Sequence, residues 1–473
     1  MKPCYVIGSG PNGLTAAITL ARAGLKVTVL EAQPRIGGGT RSAELTLPGF
    51  LHDVCSAVHP MALSSPAFAG LPLREHGLEW IYSAAALAHP FDDGSCITVE
   101  RSIPETIGQF GSPESLYRRI AAPLVRDWNN LMHEILAPPH IPRHPLTLGR
   151  FAAIAPWSAT TMGRVIFRSP QSRAVFVGMA AHSILPLEAP GSAAFGWILM
   201  LSAHAVGWPI ARGGSQRIAA ALASYFESLG GKILTSTCVK SLDEFERQSL
   251  VLCDVTPRQF MGLAANKLPD GYRRTMENWR YGPGVFKIDW AMNAPIPWNA
   301  PGCARAATVH LGGSFEEIAE SERAPWQGNT HPRPFVLLAQ PSLFDPSRAP
   351  ANAHTVWAYC HVPNSSEVDM TDAIESQVER FAPGFRAHIL ARHTMATPDL
   401  ERHNANLVGG DIGGGVNTLK QVLLRPSASF YRTPLEGVFL CSSSTPPGAG
   451  VHGMCGYNAA RAALRQNAYR MAQ

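Results

Sequence analysis

A glycine motif near the N-terminus limits the fold more than any other feature of the sequence. Residues 8–13 read GSGPNG and match the pattern GxGxxG. An apolar strand is predicted before the motif at residues 5–7, a helix after it at 14–23, and a second strand at 27–30 that ends on Glu31. Together they make a complete βαβ unit, which predicts a Rossmann-like dinucleotide-binding domain of the α/β class.

Each residue type in this unit has a physical reason. Gly8 permits the tight turn, Gly10 lets the backbone approach a pyrophosphate, and Gly13 lets helix and strand pack closely. The helix N-terminus offers unpaired N–H groups and a partial positive charge to phosphates. Glu31 can accept hydrogen bonds from both ribose hydroxyls and would repel a 2′-phosphate, which disfavours NADP. The predicted cradle consists of Gly8, Gly10, Pro11, Asn12, Gly13, Glu31 and Ala32.

A second glycine-rich segment distinguishes NAD from FAD. Residues 35–42 read RIGGGTRS and directly follow the acidic strand end. They resemble the motif RxGGRxxS of the glutathione-reductase-type and amine-oxidase-type flavoproteins, with Gly39 where that family usually has arginine and Arg41 as our candidate for the missing charge. A plain nicotinamide dehydrogenase has no need of this loop, so the segment favours FAD. It adds Gly38, Thr40 and Arg41 to the predicted cofactor site.

Over nearly all of its 473 residues the chain resembles the phytoene desaturase-like FAD-dependent oxidoreductases. Within them it is most similar to the branch named pyridine nucleotide-disulfide oxidoreductase domain-containing protein 2. The resemblance rests on the two glycine motifs and on the segments at 49–55, 207–215, 281–287 and 446–453. That branch name does not suit this chain, because five residues after Cys55 stands Pro60 and no CxxxxC redox pair can form.

The resemblance implies a discontinuous domain organisation. We expect a Rossmann-like FAD-binding domain of the glutathione-reductase or amine-oxidase type, made from residues 1–75, 205–275 and 400–473. An α+β substrate domain, made from residues 76–204 and 276–399, is inserted into it. We expect the FAD to be bound non-covalently.

The resemblance also extends the cofactor site to the middle and the end of the chain. It implies that the main chain of Val239, on a predicted strand, meets the adenine, and that Ser443 faces the ribityl chain. A helix predicted at 457–464 would direct its N-terminus at the flavin and stabilise negative charge on the reduced ring. The loop before this helix completes the predicted site with Gly450, Val451, His452 and Met454.

Charge and cysteine content argue against several classes of protein. The formal net charge is +5 without a dense basic run, so nucleic acid is not an expected partner. The nine cysteines form no CxxC pair and no metal-ligand cluster, which predicts a reduced, cytoplasmic protein without a metal site. No run of about 18 apolar residues predicts a membrane span, and a peripheral membrane contact is left open.

Catalytic candidates are few, because a flavin itself carries the difficult chemistry. On the predicted strand 285–292, Lys287 and Asp289 share one face, either as a solvated ion pair on a half-buried sheet or as a polar pair near the flavin. His452 lies in the loop expected to touch the flavin ring. Lys287 and His452 are therefore the catalytic candidates. For His310, and for His361, which shares a strand face with Tyr359, a satisfied or surface histidine is expected instead.

The substrate is expected to be large and apolar. Residues 174–208 are rich in Ala, Phe, Leu, Met and Trp, and form either plain core helices or part of an apolar channel. The favoured reaction is dehydrogenation or desaturation of an apolar or lipid-like small molecule, with hydride transfer to the flavin. A flavin amine oxidase, a redox-neutral flavin isomerase and a non-catalytic flavin-binding interaction protein are the alternatives. The amine oxidase needs an aromatic cage, for which Tyr457 is the aromatic residue at the C-terminal end.

A second match to GxGxxG occurs at residues 448–453. About twenty residues remain after it, which is too few for the second strand and ribose-binding acid of another βαβ unit. We therefore predict that this segment is not a second dinucleotide site for NAD(P).

Overall fold

The predicted βαβ unit is present in the computed structural model, which describes residues 3–111 and 114–471. Its helix begins at Pro11, earlier than predicted, because the fixed φ of proline suits the first helical position. The C-terminal helix also begins earlier than predicted, at Met454. Both shifts bring the helix N-termini directly against the glycine motifs that precede them.

The described residues form two large sheets and two short two-stranded sheets. The strands are β1 Cys4–Ile7, β2 Val27–Leu30, β3 Ser42–Glu44, β4 Leu51–Asp53, β5 Trp80–Ile81, β6 Ala85–Pro90, β7 Cys96–Val99, β8 Ile210–Ala211, β9 Lys232–Leu234, β10 Leu250–Cys253, β11 Gly284–Met292, β12 Ala306–Leu311, β13 Val336–Ala339, β14 His354–Val362, β15 Ile389–Met395 and β16 Val438–Leu440.

The helices of the described residues alternate with these strands along the chain. They are α1 Pro11–Arg22, α2 Pro60–Leu63, α3 Pro66–Ala69, α4 Ile103–Gln109, α5 Ser115–Arg126, α6 Trp128–Ile135, α7 Pro145–Ala152, α8 Ala159–Ile166, α9 Pro170–Ala181, α10 Ser192–Ala205, α11 Gln216–Ser228, α12 Pro257–Ala264, α13 Asp270–Glu277, α14 Phe315–Arg323, α15 Thr371–Phe381, α16 Thr397–His403, α17 Leu419–Leu423 and α18 Met454–Met471.

The first large sheet is parallel, with the strand order β16-β10-β1-β2-β9. Its strands come from residues 4–30, 232–253 and 438–440, which are distant in the chain. Helices α1 and α18 pack against each other beside this sheet. The carboxyl ends of β1, β2 and β10 therefore meet at one edge, which is where ligands bind in open α/β sheets.

The second large sheet has the order β15-β11-β14-β13-β12-β6-β7 and is antiparallel except where β12 meets β6. Its strands come from residues 85–99 and 284–395. The two sheets thus use the segments expected for the two domains, while the domain limits themselves stay predictions. Helix α9 is an interior helix, with Phe176 and Val177 fully buried.

One predicted strand is wrong. β9 ends at Leu234, and Val239 lies outside any strand. Ser236 adopts a left-handed φ of 52°, which turns the chain out of the extended conformation. The amide of Thr237 still donates to the carbonyl oxygen of Glu31 at 2.8 Å, so the segment continues alongside the end of β2.

Within the described part of the chain, no helix has the length and apolar character needed to cross a membrane.

Candidate functional site

The first glycine motif forms a tight turn between β1 and α1. Gly8 has a φ of +100°, a conformation that side chains disfavour, and its amide donates to Leu30 at 2.8 Å. A Cβ on Gly13 would overlap the carbonyl oxygen of Gly8, so the start of the helix packs directly on the turn. These contacts give Gly8 and Gly13 the structural roles predicted for them.

The second glycine motif folds onto the first. The amide of Gly37 donates to Ser9 O at 3.1 Å, and the Thr40 hydroxyl donates to Gly37 O at 2.8 Å. A Cβ on Gly38 would lie 3.1 Å from the Cα of Gly10. The two motifs therefore approach at backbone distance, and together they make one concave surface.

Glu31 is held in one orientation at the end of β2. Its carboxylate accepts from the Ser9 amide at 3.0 Å, the Ser9 hydroxyl at 2.5 Å and the Gln33 amide at 2.9 Å. The Arg41 guanidinium lies 3.3 Å away and also donates to the carbonyl oxygen of His403 at 3.1 Å. Arg41 thus balances the charge of Glu31, and its role as a replacement for the arginine missing at position 39 stays a prediction.

Asp254 is a cradle residue that the sequence analysis missed. It follows β10, and its Oδ2 accepts from the Gly13 amide at 2.9 Å and would lie 3.1 Å from a Cβ on Gly10. Burial, reinforced by the charge of Glu31, raises the pKa of Asp254 to about 7, although the Gly13 amide opposes the shift. The sequence signal for this role is an acidic residue directly after an apolar strand. That signal is not sufficient, because only the strand order shows that β10 lies beside β1.

One cavity of about 1010 Å³ runs from this cradle into the space between the two sheets. Gly13, Met454 and Lys287 of the predicted site lie outside its lining. The predicted residues that do line it are Gly8, Gly10, Pro11, Asn12, Glu31, Ala32, Gly38, Thr40, Arg41, Val239, Ser443, Gly450, Val451 and His452.

The far half of the cavity is apolar. Helix α10, drawn from the segment predicted to be either core or channel wall, contributes lining residues while α9 behind it is core. The acids among the described lining residues are Glu31 and Asp254, and both belong to the cradle. The apolar lining includes Phe195, Ile198, Leu199, Trp208, Leu337 and Trp357.

His452 holds the C-terminal loop in place. Its Nδ1 accepts from the Met454 amide at 3.0 Å, and its carbonyl oxygen accepts from the Ser65 hydroxyl at 2.5 Å. Burial lowers the pKa of His452 to about 4, against the opposing effect of hydrogen bonds to the Ala449 and Gly448 carbonyls. The ring is therefore neutral at neutral pH and bonded to the backbone, which supports the loop and leaves little of the ring for proton transfer.

The expected solvated ion pair of Lys287 and Asp289 is wrong, because β11 is buried on both faces. Lys287 bonds to Asp289 with exposed fractions of 2% and 0%. The Asp289 carboxylate also lies 3.5 Å from His52 and 3.6 Å from His393. Burial would raise the pKa of Asp289, but the Lys287 ammonium and these imidazoles hold it below its ordinary value.

This charged group lies one layer behind the cavity wall. The Lys287 ammonium is 5.8 Å from the ring of Trp357, which lines the cavity. The catalytic role of Lys287, and a polar pair near the flavin, stay predictions. His310 and His361 are also interior, His310 bonded to His182 and His361 to Glu322.

Comparisons with known proteins agree with this site. Residues 6–68 match the family model described as NAD(P)-binding Rossmann-like domain. Pyridine nucleotide-disulfide oxidoreductase domain-containing protein 2 of Mus musculus is 25% identical, covering 98% of this chain and 94% of its own. The predicted resemblance is confirmed. A phytoene desaturase (lycopene-forming) of Paracoccus is also 25% identical, covering 96% of this chain and 95% of its own.

The fold class is confirmed by solved structures. Putrescine oxidase bound to putrescine has a TM-score of 0.63 at 17% identity, covering 100% of this chain and 99% of its own. That similarity shows a shared architecture across the whole length of the chain. Of these two proteins similar in sequence, one is named for an oxidoreductase domain and the other as a desaturase.

Proposed function

We propose that this protein is an FAD-dependent oxidoreductase that dehydrogenates or desaturates a large apolar molecule. The observation that carries the proposal is a continuous cavity, which joins a dinucleotide cradle to an apolar chamber. At about 1010 Å³ it lies at the upper end of the range for ligand sites, roughly 300–1,000 Å³. A cofactor and part of a substrate would therefore share one continuous cavity.

The cradle fits a dinucleotide pyrophosphate. Gly10 faces the cavity, and a Cβ added there would meet only the Asp254 carboxylate closely. The side-chain oxygen of Asn12 is buried without a hydrogen-bond partner at the first turn of α1, beside the amides that α1 offers to an anion. An unsatisfied buried oxygen is costly, and because Oδ1 only accepts, a hydroxyl or N–H group of the bound cofactor, rather than its phosphates, would supply the missing donor.

The choice of FAD over NAD rests on the second half of the site. The folding of the second glycine motif onto Gly10, the Ser443 side chain and the C-terminal loop all extend the cavity beyond an adenosine cradle. When bound, the flavin would accept a hydride from the substrate. Residues of this chain would hold the pyrophosphate at α1, hold the ribose at Glu31, and exclude water with the apolar chamber.

The charge distribution supports an apolar substrate over an amine. An ammonium group buried in the far half of the cavity would need a carboxylate partner, and among the described lining residues there is none outside the cradle. Tyr457, the aromatic residue considered for an amine cage, lies under the Arg461 guanidinium at 5.5 Å and outside the cavity lining. Desaturation of a neutral molecule therefore agrees better with the site.

The proposal is tested by following the flavin and the substrate separately. Purified protein is expected to be yellow, to release FAD into the supernatant on acid precipitation, and to bleach anaerobically with some members of a panel of apolar molecules. Colourless protein that takes up no added FAD would refute the proposal that FAD is the cofactor. Bleaching of the flavin by amines alone would show that the protein is an amine oxidase rather than a desaturase. Bound FAD that no substrate reduces would favour an isomerase or an interaction protein.

A further inference from the structure

The cavity lining includes the imidazole of His182, at the end of α9. Its Nε2 lies 3.0 Å from Nε2 of His310, a residue of β12 with no exposed surface. The ring of Trp208 stands edge-on to His182 at 6.0 Å and lines the same cavity. A polar group is therefore held in an apolar wall by a second, deeper histidine.

Both rings are neutral at neutral pH. Burial lowers the pKa of His182 to about 3, and the nearby His361 adds to this effect. Burial also holds the pKa of His310 well below its ordinary value. A hydrogen bond between two neutral imidazoles requires that one Nε2 carries the proton and the other accepts it.

The surroundings of His310 decide the direction of this bond. Its Nδ1 is buried without a hydrogen-bond partner, close to the backbone of Gly178, where a Cβ would lie 3.2 Å from it. If His310 accepted at Nε2, its Nδ1 would carry an unpaired buried N–H, which costs more than an unpaired acceptor. His310 therefore donates through Nε2, His182 accepts, and the proton of His182 is placed on Nδ1.

We propose that the His182 Nδ1–H group is a substrate-binding donor, and that the preferred substrates are large apolar molecules carrying an acceptor oxygen, such as a ketone, rather than pure hydrocarbons. No hydrogen bond from Nδ1 to another described residue is formed. Among the other lining residues, Ile198, Leu199 and Trp208 are apolar and the buried Thr308 hydroxyl forms no hydrogen bond, so an oxygen on the ligand is the natural partner for this donor. The inference rests on the proposed function, because it assigns this half of the cavity to the substrate.

A matched pair of probes tests the donor. Holoprotein is titrated with 2-undecanone and with undecane, and binding is followed by the fluorescence of the tryptophans that line the cavity. His182→Phe keeps a ring but removes the N–H group. It is expected to weaken the binding of 2-undecanone roughly threefold to tenfold and to leave the binding of undecane unchanged. His182→Asn keeps an N–H donor and is expected to retain most of the preference. An equal loss of affinity for both probes in His182→Phe, or no loss of affinity for either, would overturn the proposal.

The tautomer gives a second readout that does not depend on activity. Two-bond ¹⁵N–¹H correlation spectra of holoprotein labelled at histidine are expected to show a neutral, Nδ1-protonated ring that is missing from the spectrum of His182→Asn. An Nε2-protonated His182 would contradict the inference. His133→Phe, on the exposed face of α6, is the control for general effects of losing a histidine.

The outcome separates this inference from the proposed function, because FAD content is measured in the same preparations. Protein without FAD that still prefers 2-undecanone through His182 would refute the flavoenzyme and keep the donor site. Protein with reducible FAD in which His182→Phe changes neither probe would keep the flavoenzyme and refute the donor site.

Discussion

Gly10 and Gly13 stand three residues apart and are constrained by different neighbours. A Cβ on Gly13 would overlap the backbone of Gly8, so the fold itself requires glycine there. Gly10 has a φ of −68°, which any residue adopts, and its nearest neighbour would be the Asp254 carboxylate at 3.1 Å. At Gly10 the fold would admit a Cβ after a small shift of the Asp254 carboxylate, so we expect the stricter requirement for glycine to come from the ligand.

Gly10→Val is thus expected to fold and to lose the cofactor. Its far-UV circular dichroism and thermal midpoint should stay close to those of the unmutated protein, with an FAD content below roughly a tenth. Gly13→Val, the matched variant, is expected to lose both cofactor and stability. Full flavin occupancy in Gly10→Val would show that the pyrophosphate binds elsewhere.

Asp254 is expected to make the affinity for FAD depend on pH. Burial, with the charge of Glu31, raises its pKa to about 7, so the carboxyl is neutral below that pH and becomes negative above it, beside the pyrophosphate site. The Kd for FAD is therefore expected to rise on the order of tenfold between about pH 6 and about pH 8. Fluorescence titration of apoprotein measures it. Asp254→Asn should remove the dependence, whereas Asp243→Asn, an exposed carboxylate, should keep it. The same pH slope in Asp254→Asn would show that another group titrates.

At the scale of elements, prediction succeeded where the signal is contiguous. The strand, glycine turn, helix and acid of the first βαβ unit follow one another in about 25 residues, and local chemistry sets their order. The burial of Lys287 could not be predicted from the sequence. The alternation of polar and apolar residues along β11 is typical of a half-exposed strand, although both faces of β11 are covered. Asp254 was missed for a similar reason, since β10 joins β1 only through long-range pairing.

The crossing of α1 and α18 is the tightest helix contact beside the cradle. A Cβ on Gly456 would overlap the carbonyl oxygen of Asn12, in the first turn of α1. Gly456→Ala is therefore expected to destabilise the protein by about 3 kcal/mol and to weaken FAD binding, because it moves the cofactor-binding turn. Chemical denaturation and flavin content measure the two effects.

Gly149 provides the matched control, because it also lies inside a helix, α7, but nothing surrounds its Cβ position within 4 Å. Gly149→Ala is expected to stabilise the protein by roughly 0.5–1 kcal/mol through helix propensity, with unchanged FAD content. A destabilised Gly149→Ala, or a neutral Gly456→Ala, would contradict the described packing.

At the scale of the whole molecule, function arises where two sheets built from scattered segments meet. The cradle comes from the parallel sheet, while Trp357 and Thr308 reach the cavity from the antiparallel sheet. The hydrogen bond between His182 and His310 joins residues that are 128 positions apart in the chain. The local sequence around either histidine does not predict this bond. The sequence therefore predicted the two glycine motifs and Glu31 that form the cradle, and of the rest of the cavity only its general apolar character.

The second GxGxxG segment shows how the whole fold decides what a local pattern means. Residues 448–453 follow β16 and precede α18, which resembles a dinucleotide turn. In the described part of the chain no strand follows α18, which packs against α1 instead, so the βαβ unit is incomplete. The first amide of α18, that of Met454, already donates to His452 Nδ1 at 3.0 Å and is not available to a phosphate.

We therefore expect NADH and NADPH to reduce the protein slowly or not at all. Electrons from the substrate would then leave to oxygen, a quinone or another acceptor, because the chain offers no second site with the spacing that a nicotinamide dinucleotide needs. Anaerobic stopped-flow mixing of the oxidised holoprotein with each nucleotide measures the rate of flavin bleaching. A slow rate that rises linearly with nucleotide concentration would reflect collision without a binding site. Rapid bleaching that saturates would reveal a nicotinamide site and contradict the assignment of residues 448–453 to the flavin loop.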